Sequence, residues 1–397
     1  MSRHPHIPRG AGTSPRRPAR RSVLTALTAS AASAALLPAT AAHANTRRTP
    51  ADLLYIGTWG QPEVHAVRFD PERGAMTLLG KVAAVSSNWV ATHPSRPVLY
   101  VAGSEQGGVV RTFNIDDTTG ALEQVAETST EAAPAGSGGL SFLAPTPDAA
   151  TLLVADFAAG SAVTLPIDAA GRLGPVASRV EDTGSGPNPR QAGPHAHHVV
   201  IDPSHRYALV ADFGADRVFI RAYDPRTRRM SADTNSYATP PGSGPRRLVF
   251  HPRGRTVYLL NELTADIEAL SWDARTGTLT PRQRLTTNAP GHTGATSAAE
   301  LAVSGDGRHV YVSNRGDNAL VVFAVDPRTG QLTEVQRLPC GGVTPWSFTL
   351  HHDERWLFVA NQVSGTVNLF RVHPGTGRLT DTGTSVAVPH ADCIAVR

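Results

Sequence analysis

The sequence predicts an all-β protein: a seven-bladed β-propeller with four antiparallel strands per blade. Three observations carry this. A hairpin recurs about every fifty residues, no helical periodicity appears in the body, and an unmatched half-repeat stands at each end. The hairpin is clearest in Gly244-Pro-Arg246-Arg-Leu-Val-Phe-His-Pro252-Arg-Gly-Arg-Thr-Val-Tyr-Leu-Leu-Asn261-Glu262, where two apolar runs flank a His-Pro-Arg-Gly turn. Its turn marker returns at Pro94, Pro147, Pro203, Pro252, Gly305 and His352, at intervals of 53, 56, 49, 53 and 47 residues. A third apolar run follows each hairpin, and an Asp-x-x-Thr-Gly-x-Leu turn, as at Asp326 to Leu332, leads into a fourth. β-Helix coils would need shorter repeats, and a sandwich would not repeat at this interval.

Six units are complete and the seventh is split. Leu53-Leu-Tyr-Ile-Gly57 reads as a second strand with no first strand before it, and Pro389 to Val396 as a first strand with no second after it. Pairing the two closes the ring and leaves no open edge between blades.

Residues 1–44 read as an export signal that is removed. Arg20-Arg21 precedes an uncharged run from Ser22 to Ala42, with Ala42-His43-Ala44 as the cleavage pattern and a twin-arginine character at the pair. Residues 45–50 are expected to be a flexible leader, and residues 51–397 a single domain. The whole chain carries +4, but six arginines and no acidic residue precede residue 45. The remainder has 31 basic against 33 acidic groups, or −2, so the basic pI argues for no nucleic-acid partner. No second apolar run has membrane length, so no membrane association is expected after cleavage, and the chain is read as a monomer. Cys340 and Cys393 are too few for a disulfide framework, although export permits one bridge.

The first strand of each blade lines the channel, and its upstream end meets the downstream end of the second strand on one face. The slot of Arg246 reads His390, Asn88, Ser141, His197, Arg246, Ala299 and Trp346 around the ring. The slot of Glu262 reads Thr58, Ser104, Phe157, Phe213, Glu262, Arg315 and Gln362. Charge therefore gathers on blades four to six, with His195 flanking, beyond what hydrating a channel requires. The adjoining Asp156, Asp212, Asn261, Asn314 and Asn361 read as side chains bonded to backbone at strand ends, a calcium ring being the rival.

Tyr55-Ile-Gly-Thr58, Pro194-His-Ala-His197, Asp212-Phe-Gly-Ala-Asp-Arg-Val218, Gly244-Pro-Arg246, Leu260-Asn-Glu-Leu263 and Val312-Ser-Asn-Arg315-Gly resemble the seven-bladed propeller lactonases. That family includes the propeller-type 6-phosphogluconolactonases and the carboxy-muconate lactonizing enzymes, and the resemblance spans essentially all of 51–397. It implies a working set of one His, two Arg and one Glu, without metal or other cofactor, falling on His197, Arg246, Arg315 and Glu262. The expected substrate is a small sugar-derived or carboxylated lactone, hydrolysed or formed in the reverse cyclisation. Arg246 and Arg315 would steady its carboxylate or oxyanion, Glu262 would activate water, and His197 would protonate the leaving alkoxide. His195, His390, Gln362, Trp346 and Asn88 are the expected substrate contacts. The alternative is a non-catalytic exported propeller binding carbohydrate or protein. N-terminal sequencing of exported protein should begin near Asn45, and an Arg20-Arg21→Lys-Lys double variant should block export. Normal export of that variant would remove the twin-arginine reading.

Overall fold

The computed structural model describes residues 52–103, 108–130 and 139–397. The expected signal and leader lie outside these residues, as does Ser104. The described residues form seven four-stranded antiparallel sheets arranged as propeller blades. Blade five is typical: Pro245–Phe250, Thr256–Asn261, Asp266–Asp273 and Thr278–Thr286 pair in sequence from the channel outward. Second strands are buried on both faces and read as continuous apolar runs, such as Leu99 to Ala102. Outer strands such as Leu122–Ser129 are half-exposed and polar.

The core lies between blades. Tyr258 and Leu260 of blade five meet Val310, Val312, Val321 and Phe323 of blade six in one such layer. The Asp-x-x-Thr-Gly turns latch neighbouring blades. Gly330 has φ +74°, donates its N–H to Asp326 (2.8 Å), and through its carbonyl accepts from the Tyr258 hydroxyl of blade five (2.9 Å). A side chain at Gly330 would strike Thr256, so the turn sits tightly on its neighbour.

The ring closes as the half-repeats require. Ala391–Val396 pairs with Asp52–Thr58, followed outward by Val64–Asp70 and Ala75–Ala83. Leu53 and Arg397 exchange backbone hydrogen bonds of 3.0 and 2.8 Å. Across the seam, Phe69 meets Phe358 edge-on at 4.8 Å, and His351 Nε2 lies 2.8 Å from Asp52. Cys340 and Cys393 are both buried and free, so they form no bridge.

Deleting residues 391–397 removes the inner strand of blade one and opens this seam. The truncated protein should lose its cooperative thermal transition and most of its soluble yield. An unchanged melting profile would show that closure by this strand does not hold the ring together.

Candidate active site

What brings the site together is an irregularity repeated at the upstream end of the inner strands. In blade five Pro245 pairs with Asn261 and Arg247 with Leu260, leaving Arg246 as an extra residue between them. A β-bulge of this kind breaks the two-residue alternation and turns an additional side chain toward the axis. Ser141, His197 and Trp346 sit at the same irregularity in blades three, four and seven. The strand of His197 is further fixed by Asp212, whose Oδ1 accepts from the N–H groups of His195 (2.9 Å) and Ala215 (2.7 Å). The other strand-end Asp and Asn residues are likewise bonded locally: Asp156 accepts from the Ala159 N–H, and Asn361 donates to the Cys340 carbonyl.

A cavity of about 280 Å³ opens where these side chains converge. Its charged wall is Arg190, Arg246, Glu262 and Arg315, with His197 alongside, and its aromatic wall is Trp59, Trp89, Phe157 and Trp346. Asn88 and Ser141 complete the lining. Glu262 is 3 % exposed and bound by three guanidinium groups: Arg246 Nε at 3.0 Å, Arg315 Nη2 at 2.9 Å and Arg190 Nη1 at 2.8 Å. Burial pushes its pKa up, but Arg315, Arg246 and Arg190 outweigh burial and bring it down to about 2. Arg246 is lowered to about 9, first by burial and then by the charge of Arg315, and remains a cation at neutral pH. The guanidinium of Arg246 also donates to the Ala299 carbonyl.

His197 is buried, and its Nδ1 has no hydrogen-bond partner, which leaves Nε2 as the nitrogen available to the cavity. Burial, then the charges of Arg246, Arg247 and Arg315, hold the imidazole well below its usual pKa. It is therefore neutral at pH 7. Beneath it Arg247 pairs with Glu300 at 2.8 Å and lies 4.0 Å over the Trp89 ring, so that buried cation is balanced within the channel.

Of the residues expected from the sequence, His197, Arg246, Glu262, Arg315, Trp346 and Asn88 line one cavity. His195 stands behind it: its ring stacks on Phe157 at 4.4 Å, and its Nδ1 lies 2.8 Å from the Phe157 carbonyl oxygen. Gln362 is half-buried outside the lining, with its backbone N–H bound to Thr344. His390 is misplaced in the sequence reading. It is exposed in the turn before its strand (φ +55°), and the channel slot of blade one belongs to Asp392. That carboxyl is fully buried, and burial raises its pKa well above the usual range. The matching slot of Glu262 in blade one is Trp59, one residue past the expected Thr58. Glu262 itself differs from the water-activating base expected, since both its oxygens face guanidinium groups and its basicity is low.

Arg190 and Trp89 were not anticipated. Arg190 lies in the turn Pro189–Gln191, capped by Asn188, and is steadied by Phe213 4.6 Å beneath its guanidinium. Gln191 ties that turn to the Phe213 carbonyl and Asp216, both at 2.7 Å. Only the Asn-Pro that opens the turn marks it in the sequence. Trp89 is one position beyond the Asn88 slot. Among the described residues, the one His/Cys/Asp/Glu group spaced to hold a metal ion is Asp52, His351 and His352. It sits at the opposite strand ends, where His351 already bridges Asp52 (2.8 Å) and Asp353 (2.7 Å).

The sequence profile of a family described as "Lactonase, 7-bladed beta-propeller" matches residues 53–396. The 6-phosphogluconolactonase of Bacillus subtilis is 28% identical over 310 residues, which are 76% of this chain and 85% of that protein. That of Formosa agariphila is 26% identical over 303 residues, 72% of this chain and 82% of the relative. The structure of the Pseudomonas aeruginosa periplasmic gluconolactonase superposes with a TM-score of 0.78 at 30% identity, covering 87% of this chain and 99% of that one.

The lowered pKa of Glu262 makes its contribution to stability depend on pH. Because the folded value lies below the unfolded one, that contribution is full above about 4.5 and is lost as the pH falls toward 2. The gap corresponds to about 3 kcal/mol. Glu262→Gln should therefore destabilise the protein by about that amount in urea unfolding at pH 7, and by roughly half of it at pH 3. An equal loss at both pH values would show that the three arginines are not what keeps Glu262 ionised.

Proposed function

Because this chain belongs to the seven-bladed β-propeller lactonase family, whose members act on lactones, we propose that it hydrolyses a small sugar-derived or carboxylated lactone at this cavity, without a metal and outside the cytoplasm. One observation carries the reading: His197 and a Glu262 clamped by three arginines line one cavity of about 280 Å³. The charged wall of three guanidinium groups and one carboxylate sums to +2, which favours an anionic substrate or transition state.

In this reading the lactone carbonyl oxygen lies against Arg246 and Arg315. Each guanidinium has five N–H donors and keeps some free after binding Glu262. Water attacks the carbonyl carbon while His197 Nε2 takes its proton. The arginines stabilise the resulting oxyanion. On collapse the ring C–O bond breaks, His197 returns the proton to the departing alkoxide, and the product is an open-chain hydroxy acid. Glu262 serves as the fixed anion that aligns the arginines. The donor set also argues against a resident cation, since the lone carboxylate of the wall is already claimed by three positive groups. Location outside the cytoplasm is supported by the paired arginines of the leader and by the likeness to a periplasmic gluconolactonase.

The test is turnover of a panel holding glucono-δ-lactone, its 6-phosphate and carboxylated five-membered lactones, with and without EDTA. Turnover should survive EDTA, and His197→Asn should lower kcat by about two to four decades. Since the base must be neutral and its pKa is depressed, the acid limb of kcat/KM should fall below pH 6.5. An acid limb above 6.5, or near-normal kcat in the Asn variant, would remove His197 as the base. Binding without turnover across the panel would favour a non-catalytic module.

A further inference from the structure

We propose that the side of the cavity built by blades seven and one is a subsite for an aliphatic substituent on the lactone ring, so that alkyl-substituted lactones are among this protein's substrates. This rests on the lactone-hydrolase reading above and extends it to a substrate class.

The cavity has two unlike halves. Its charged wall, with His197, comes from the turn before blade four and from blades four to six, whereas Trp346, Trp59 and Trp89 come from the consecutive blades seven, one and two. Two of these indoles are already engaged by cations: Arg315 lies 4.4 Å over Trp346, and Arg247 lies 4.0 Å over Trp89. Trp59 is different. It leans on Trp346 with ring centroids 5.2 Å apart, yet remains 40 % exposed at the rim.

Two further exposed apolar side chains stand on the same face, in the loops that flank the inner and second strands of blade seven. Val343 and Val363 are 43 % and 67 % exposed and are joined by a hydrogen bond from the Val363 N–H to the Val343 carbonyl (3.2 Å). Together with Trp59 they make up half of the six large apolar side chains exposed among the described residues. Isolated exposed apolar residues need no explanation, but three on the face that carries the cavity, one of them lining it, ask for one. A bare sugar lactone gives no reason for it, because hydroxyl groups laid against Val343 and Val363 would lose water without gaining a partner. An alkyl chain leaving the ring along Trp59 toward Val363 would bury methylene groups there instead.

The experiment measures kcat/KM for δ-valerolactone, δ-octanolactone, δ-decanolactone and δ-dodecanolactone, with glucono-δ-lactone run beside them. Each methylene covered by these side chains should raise kcat/KM about two- to fourfold until the chain passes Val363. Trp59→Ala should flatten that rise, and Val363→Asp, a surface change, should lower the decanolactone-to-valerolactone ratio by about tenfold. A series that is flat or falls with chain length while glucono-δ-lactone turns over would overturn the subsite and leave the lactonase reading standing. A rise that persists in both variants would overturn it equally. If none of the five turns over while the 6-phosphate or a carboxylated lactone does, the subsite is overturned and the lactonase reading stands; if no lactone of either kind turns over, that reading fails with it.

Discussion

Three arginines meeting on one buried glutamate is the arrangement on which the rest of the site depends. Burying Arg246 and Arg315 costs desolvation, and gathering them with Arg190 costs mutual repulsion; Glu262 offsets both by accepting from all three. The backbone shares in this. The Glu262 N–H donates to Gly244 (2.7 Å) and its carbonyl accepts from Ala298 (3.1 Å), so the carboxylate is held between the inner strands of blades five and six. Removing the glutamate would leave buried cations without a counter-ion, which is costlier than the pair was ever worth as an attraction.

The ring supplies what no single blade could. Glu262 and Arg315 follow the second strands of blades five and six, Arg246 sits in an inner-strand bulge, and Arg190 comes from the turn ahead of blade four. Their convergence requires neighbouring blades to keep a fixed angle. Latches such as Tyr258 on Gly330, together with apolar layers between the sheets, maintain it. The closing strand matters to the site for the same reason: Trp59 reaches Trp346 only because blade one is completed from the far end of the chain.

Most of the fold and much of the cavity were legible in the sequence, because a repeat turns position in the chain into position around an axis. Arg246 and Glu262, sixteen residues apart on one hairpin, had to end side by side, and His197 and Arg315 followed by counting repeats. The errors fall where that counting breaks. Blade one is assembled from both ends of the chain, so no continuous hairpin fixes its register. His390 and Thr58 stood in for Asp392 and Trp59 for that reason. Arg190 lies in a connecting turn that belongs to no strand slot, so periodicity could not reach it. The part given to Glu262 depended on how many guanidinium groups surround it, a three-dimensional count that the hairpin alone did not contain.

The same positive charge sets two properties that would otherwise have to be arranged separately. A wall of net +2 favours an anion and, in the proposed reaction, a developing oxyanion, and through space it also resists protonation of His197. Burial alone would depress the imidazole, and Arg246, Arg247 and Arg315 push it further in the same direction. The consequence is an imidazole that rests unprotonated at neutral pH, the state the proposed base requires. A base positioned beside Glu262 without those cations would have its pKa raised by the carboxylate and would rest partly protonated near neutrality. Arg246 and Arg315, which belong both to the wall and to the charges that depress His197, thus couple recognition of charge to the state of the proposed proton acceptor.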